Sequence, residues 1–132
     1  MMWDNVLKAV VEHAVADPLL AELFGESVRL KGSGTRQVPG LELALVSDVE
    51  GELWEPCVVQ WDIWCHSLTD VRAAERQLRR LFHTELPETF GGVRMFGQYV
   101  DGDTLSEPDR DDVYGRAARF RHVPLREVYA GG

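Results

Sequence analysis

The sequence contains two cysteines, Cys57 and Cys65, and four histidines, His13, His66, His83 and His122. These side chains are the ones best suited to act as nucleophile, general base or metal ligand near neutral pH. Their spacing works against each role. The cysteines lie eight residues apart in one apparent strand, so at about 3.3 Å per residue they stand roughly 26 Å apart. A disulfide needs Cα atoms within about 7 Å, and a shared metal needs a similar approach. They read as two small buried hydrophobes in a reducing cytoplasm. No two histidines show His-x-x-x-His spacing, and there is no His-Glu-x-x-His. Cys65 and His66 fall on opposite faces of a strand, which keeps thiolate from imidazole. Ser, His and Asp all occur, but without a Gly-x-Ser-x-Gly elbow.

Three further stretches invite a chemical reading. Gly32-Ser33-Gly34 is glycine-rich, yet it lacks both phosphate-cradling patterns, Gly-x-x-x-x-Gly-Lys-Ser/Thr and Gly-x-Gly-x-x-Gly. It reads as a flexible loop. Asp101, Asp103, Glu107, Asp109, Asp111 and Asp112 suggest calcium. An EF-hand needs Gly at the sixth loop position and Glu at the twelfth. Counting from Asp101 gives Ser106 and Asp112, and counting from Asp109 gives Tyr114 and Phe120. The stretch therefore reads as a solvated acidic loop or a docking loop. Arg72, Arg76, Arg79 and Arg80 form a basic stripe that includes Asp70 and Glu75. It reads as a solvated face or an ion-paired subunit interface.

The net charge of −8 argues against broad nucleic-acid binding, which needs clustered Lys and Arg. It favours a basic or neutral partner surface. No apolar run approaches the roughly 20 residues of a membrane span. The start Met-Met-Trp-Asp lacks the basic and apolar regions of a secretory signal. At 132 residues and 45% hydrophobic, the chain fits a single domain over residues 1–132. Residues 125–132 read as a flexible tail.

The periodicity predicts the elements that carry these residues. Trp3, Val6, Leu7, Val10, Val11 and Val15 predict a helix over residues 3–15. Asp17 as N-cap, Pro18 and Gly25 predict a second helix over Pro18–Phe24. Val28–Leu30 reads as a short strand. Leu41–Val49 and Glu52–His66 read as a hairpin joined near Glu50-Gly51. Cys57, Val59, Trp61, Ile63 and Cys65 share one face of its second strand, with Gln60, Asp62 and His66 on the other. A helix follows over residues 67–83, capped by Thr69, with Val71, Ala74, Leu78, Leu81 and Phe82 as its apolar stripe. Pro87 and Gly91-Gly92 end that segment. Val93–Val100 predicts a strand, residues 101–112 the acidic loop, and Val113–Pro124 the last strand. The expected fold is α+β: an antiparallel or mixed sheet of four to five strands with helices packed on one face.

This ordered pattern resembles the tail-completion, tail-terminator or head–tail joining proteins of long-tailed bacteriophages. The resemblance is carried by the N-terminal helix pair with Trp3-Asp4-Asn5-Val6-Leu7 and Asp17-Pro18-Leu19-Leu20, and by the segment Gly32–Gly40. It continues through the strand Cys57–Trp64, the helix Val71–His83 and the closing strand Asp112–Arg121, so it covers residues 3–124. It implies a structural virion protein without turnover or cofactor. Such a protein would be made in the bacterial cytoplasm and placed at the tail–head junction. The implied assembly is a homohexameric ring that caps the head-proximal end of the tail tube, stops its growth and joins tail to head. The implied partners are further copies of the chain, the tail-tube protein and the head connector. There would be no membrane, and DNA would pass through an acidic lumen without specific binding. Loops 32–40, 48–54 and 101–112 and the arginine helix supply the expected contact residues. These are Arg36, Glu50, Glu52, Arg72, Arg76, Arg79, Asp101, Asp103, Asp109 and Asp111. Two alternatives stand beside this reading. One is a small-molecule-binding or enzymatic domain with Trp61, Trp64 and Tyr99 walling a pocket between the sheet and the 69–83 helix. The other is a different head–tail adaptor or minor tail subunit.

Overall fold

The computed structural model describes residues 2–32, 37–47, 57–106 and 112–125. Its elements in chain order are α1 (Met2–Val15), α2 (Pro18–Phe24), β1 (Val28–Leu30), β2 (Gly40–Ser47), β3 (Cys57–Cys65), α3 (Leu68–Phe82), β4 (Glu88–Phe90), β5 (Val93–Leu105) and β6 (Tyr114–Pro124). One six-stranded sheet runs β1-β2-β3-β6-β5-β4. It is mixed, because β1 pairs with β2 in parallel and every other pair is antiparallel.

The fold class is the expected one, with one strand more than expected. The extra strand is β4, whose three residues include the exposed Glu88 and Thr89 and so show no apolar alternation. Gly91 and Gly92, at φ 50° and 85°, join β4 to β5 with the paired left-handed residues of a type I′ hairpin turn. The two glycines that read as a terminator therefore build a hairpin. A Cβ on Gly91 would sit 2.7 Å from the Cα of Ala9, so α1 packs directly on this turn. Helix α1 meets β1 and β2 at one edge of the sheet and β4 and β5 at the other, so the sheet curls around it.

The helix starts follow local chemistry. Asp17 accepts the Leu20 N–H at 3.0 Å and caps α2. Its other oxygen accepts Gln77 Nε2 of α3 at 3.0 Å, which ties the two helices together. Helix α3 is capped by Ser67 and not by Thr69. Ser67 has extended backbone angles and its Oγ accepts the Asp70 N–H at 3.1 Å, whereas Thr69 already lies inside the first turn. The helix buries Val71, Ala74, Leu78 and Phe82. Its end lies close on β5, where a Cβ on Gly97 would stand 1.9 Å from the Phe82 carbonyl oxygen.

β3 presents Cys57, Val59, Trp61, Ile63 and Cys65 to the helices, all buried. Trp61 stacks on Phe82 at 6.0 Å between ring centroids. On the opposite face of β3, expected to carry the polar Gln60 and Asp62, Asp62 and Trp64 are buried as well. Burial pushes both cysteine thiols up to about 12, so they stay protonated and act as core residues.

Beneath α3 lies an aromatic cluster of Phe82, Phe90, Phe120 and Tyr99, with His122 edge-on to Phe82 at 5.8 Å. His122 is fully buried, and neither ring nitrogen makes a well-formed hydrogen bond among the described residues. Burial pushes its pKa down to about 4, offset in part by a backbone interaction at Phe96. His13, edge-on to Phe90 at 4.6 Å, is lowered in the same direction by burial.

A histidine held neutral in the fold and free to protonate when unfolded makes stability depend on pH. Its contribution is complete above about 6.5 and is lost as pH falls toward about 4. Urea melts across that window should show the wild type losing roughly 3 kcal/mol from this residue. His122→Phe should flatten that part of the slope. An unchanged slope would show that His122 is not buried neutral.

Candidate interaction surface

The face of the sheet away from the helices carries a chain of charged and polar groups across its strands. Lys31 Nζ, just after β1, donates to Asp62 Oδ2 of β3 at 2.8 Å. Gln60 Nε2 donates to Asp62 Oδ1 at 2.6 Å, and Gln60 Oε1 accepts Arg119 Nε of β6 at 3.0 Å. Arg119 then spreads its two Nη groups over β5, to Asp101 Oδ1 at 2.9 Å and Asp103 Oδ2 at 2.5 Å. These hydrogen bonds, to Asp101 first and Asp103 second, raise the Arg119 pKa above its ordinary value. One oxygen of each β5 carboxylate is used by Arg119, and both side chains remain 60% exposed. Asp62, by contrast, is buried, so its charge depends on Lys31 and Gln60 for compensation.

Asp101 and Asp103 were expected in a loop, but they sit in β5. A register shift between Tyr99 and Asp101 leaves Val100 unpaired against β6. This β-bulge reverses the alternation of side chains. Tyr99 faces the helices opposite Phe120, and Asp101 two residues later faces outward opposite Arg119. A strand rich in aspartate has weak β propensity, which is why these residues read as a loop.

The helix side carries a different charge pattern. Glu75 of α3 accepts Arg116 Nε of β6 at 2.9 Å and lies 4.0 Å from Arg79. The Arg79 guanidinium lies 3.7 Å above the Tyr99 ring centroid, a cation–π contact. His83 Nδ1 accepts the Tyr99 N–H at 3.0 Å, which places the proton of the neutral ring on Nε2. Arg72, Arg76 and Arg80 are exposed and have no ion pair among the described residues.

Concavities run along this side of α3. A cleft of about 620 Å³ lies between the first turns of α3 and the β5–β6 end, with Leu68, Arg72, Glu75, Thr104, Tyr114 and Arg116 among its walls. Arg72, Glu75, Arg76 and Arg79 line the next hollow, and Arg76, Arg79, Arg80, His83 and Tyr99 the one beyond. Shared residues make these one groove. Leu68 and Tyr114 expose apolar surface at one end of it.

The expected pocket walls do not converge. Trp61 is in the core, Trp64 lies on the far face against Gly115, and only Tyr99 reaches the groove. Among the described residues no three His, Cys, Asp or Glu side chains are placed to hold a metal. His66 is exposed, with Nδ1 3.2 Å from the Asp112 carbonyl oxygen, while Cys65 is buried. Of the expected contact residues, Arg72, Arg76 and Arg79 come together in the groove, and Asp101 and Asp103 come together on the opposite face. Arg36, Glu50, Glu52, Asp109 and Asp111 lie outside the described residues. Gln60 and Asp62 were expected on the polar face of β3, and no expectation linked them to Arg119 of β6. The β3–β6 register, which sets Gln60 opposite Arg119, is what joins them.

No family model and no curated protein matches the chain. A solved structure described as "Virion of native gene transfer agent (GTA) particle" contains a chain with this fold. The two superpose with a TM-score of 0.68 at 16% identity, over 93% of this chain and 96% of that one. At that identity the likeness is one of fold.

Removing the buried carboxylate should matter more than removing an exposed one. Asp62→Ala should lower stability by about 1–3 kcal/mol, because Lys31 and Gln60 lose a buried partner. Asp101→Ala should cost less than about 1 kcal/mol. Urea unfolding of both variants checks this, and equal losses would contradict the described burial.

Proposed function

We propose that this chain is a structural protein of a phage-like virion, which forms a ring capping the head-proximal end of a tail tube. The ring stops tube growth and joins tail to head, working through shape and charge without turnover. The observation that carries the reading is the fold shared, over nearly the full length of both chains, with a chain of the gene transfer agent virion. The ordered sequence pattern over residues 3–124 supports it independently. In this reading further copies of the chain, the tube protein and the head connector are the partners. DNA crosses the ring without specific binding, consistent with a net charge of −8 that repels phosphate.

A second virion reading, an adaptor at the head or a minor tail subunit, shares the same supporting fold. A tube-growth assay separates them. The purified chain is added to polymerising tail-tube protein of a phage-like particle. The proposal expects elongation to stop, with the chain found at one end of each tube by electron microscopy. Unchanged tube growth with no end-bound chain would count against the capping role and favour the adaptor.

A further inference from the structure

We propose that the arginine groove beside α3 receives the β5 carboxylates Asp101 and Asp103 of a second copy of this chain. The inference rests on the assembly reading above and says where two copies meet.

Three observations carry it. First, the groove carries arginines that no described acidic residue pairs with. Arg72 and Arg76 have no ion pair among the described residues, although the sequence holds 22 acidic residues against 14 basic ones. Second, Asp101 and Asp103 are 60% exposed, and Arg119 engages only one oxygen of each. Third, the spacings agree. Carboxylates at i and i+2 of a strand stand about 6.7 Å apart, and arginines at i and i+4 of a helix about 6 Å apart. Two parallel charge-assisted pairs can therefore form at once.

The placement also excludes self-satisfaction. The groove lies on the helix side of β5, and the carboxylates point from its other side. The two patches of one copy cannot meet, so the contact joins unlike surfaces of successive copies. Contacts of that kind close into rings or propagate. A protein partner is favoured over nucleic acid. Glu75 interrupts the arginine row and Asp70 precedes it, and Leu68 and Tyr114 offer apolar surface where phosphate gains nothing.

The test is sedimentation velocity on the full chain at low salt, up to roughly millimolar concentration, where surface charge is least screened. The wild type is expected to self-associate, and R72E/R76E to weaken this at least about tenfold. The charge-swapped chain R72E/R76E/D101R/D103R should recover to within about threefold of wild type. Because Asp101 and Asp103 also hold Arg119, D101N/D103N serves as a milder second variant and should weaken association while lowering Tm by no more than about a few degrees. R72E/R76E associating like wild type would overturn the contact while leaving the assembly reading standing. A wild type that stays monomeric would also overturn it, and the tube-growth assay would then decide the assembly reading alone. Wild-type binding to a 20-mer duplex DNA that R72E/R76E abolishes, without self-association, would overturn it in favour of a nucleic-acid groove.

Discussion

A single unpaired residue, Val100, decides which way the charges of β5 point. Without the register shift, Asp101 and Asp103 would follow Tyr99 onto the helix side and face the arginines of α3. With it, they leave that side and meet Arg119. Among the described residues the arginines of the groove are left without these carboxylates, which stay on the opposite face. Arginines and carboxylates that could have faced one another within one copy therefore lie on opposite sides of one strand. Bulges re-aim side chains in this way at the cost of one ladder position.

The rest of the structure makes that separation rigid. β3 stands in the middle of the sheet and is buried on both faces, with Trp61 toward the helices and Asp62 and Trp64 away from them. The hydrophobic face fixes α3 through Phe82, and α3 holds the arginines in a row. The polar face fixes Arg119 through Gln60, and Arg119 holds the carboxylates. The ion pairs that remain exposed contribute little to stability. Their role is placement, while the apolar core around Trp61, Phe82 and Phe120 supplies the stability.

Much of the architecture was legible in the sequence. Strong periodicity placed α1 and α3 within a residue or two, Asp17-Pro18 and Gly25 bounded α2, and β3 ends one residue before the expected His66, while its expected start at Glu52 lies outside the described residues. β4 escaped because three residues with two exposed polar side chains show no alternation, and its hairpin turn looked like a terminator. The length of β5 escaped because aspartate opposes strand propensity and the bulge breaks the period. Of the interaction surface, the arginine stripe was visible as a helical pattern. The chain from Lys31 through Asp62 and Gln60 to Arg119 was not, since it depends on pairing among β1, β2, β3 and β6 that lie far apart in sequence. The pocket imagined around Trp61 and Trp64 failed because neighbouring odd and even positions of a strand cannot line one wall.

The proposed contact joins unlike faces of two copies. The most direct measurement is zero-length carbodiimide cross-linking of the variant Arg72→Lys/Arg76→Lys, which keeps the charge and adds a reactive amine. Equal amounts of ¹⁴N- and ¹⁵N-labelled protein are mixed before cross-linking and digestion. Mixed-isotope peptides joining position 72 or 76 to Asp101 or Asp103 are expected. Cross-links from those positions that are confined to one isotope, or that avoid β5 altogether, would contradict the proposed contact.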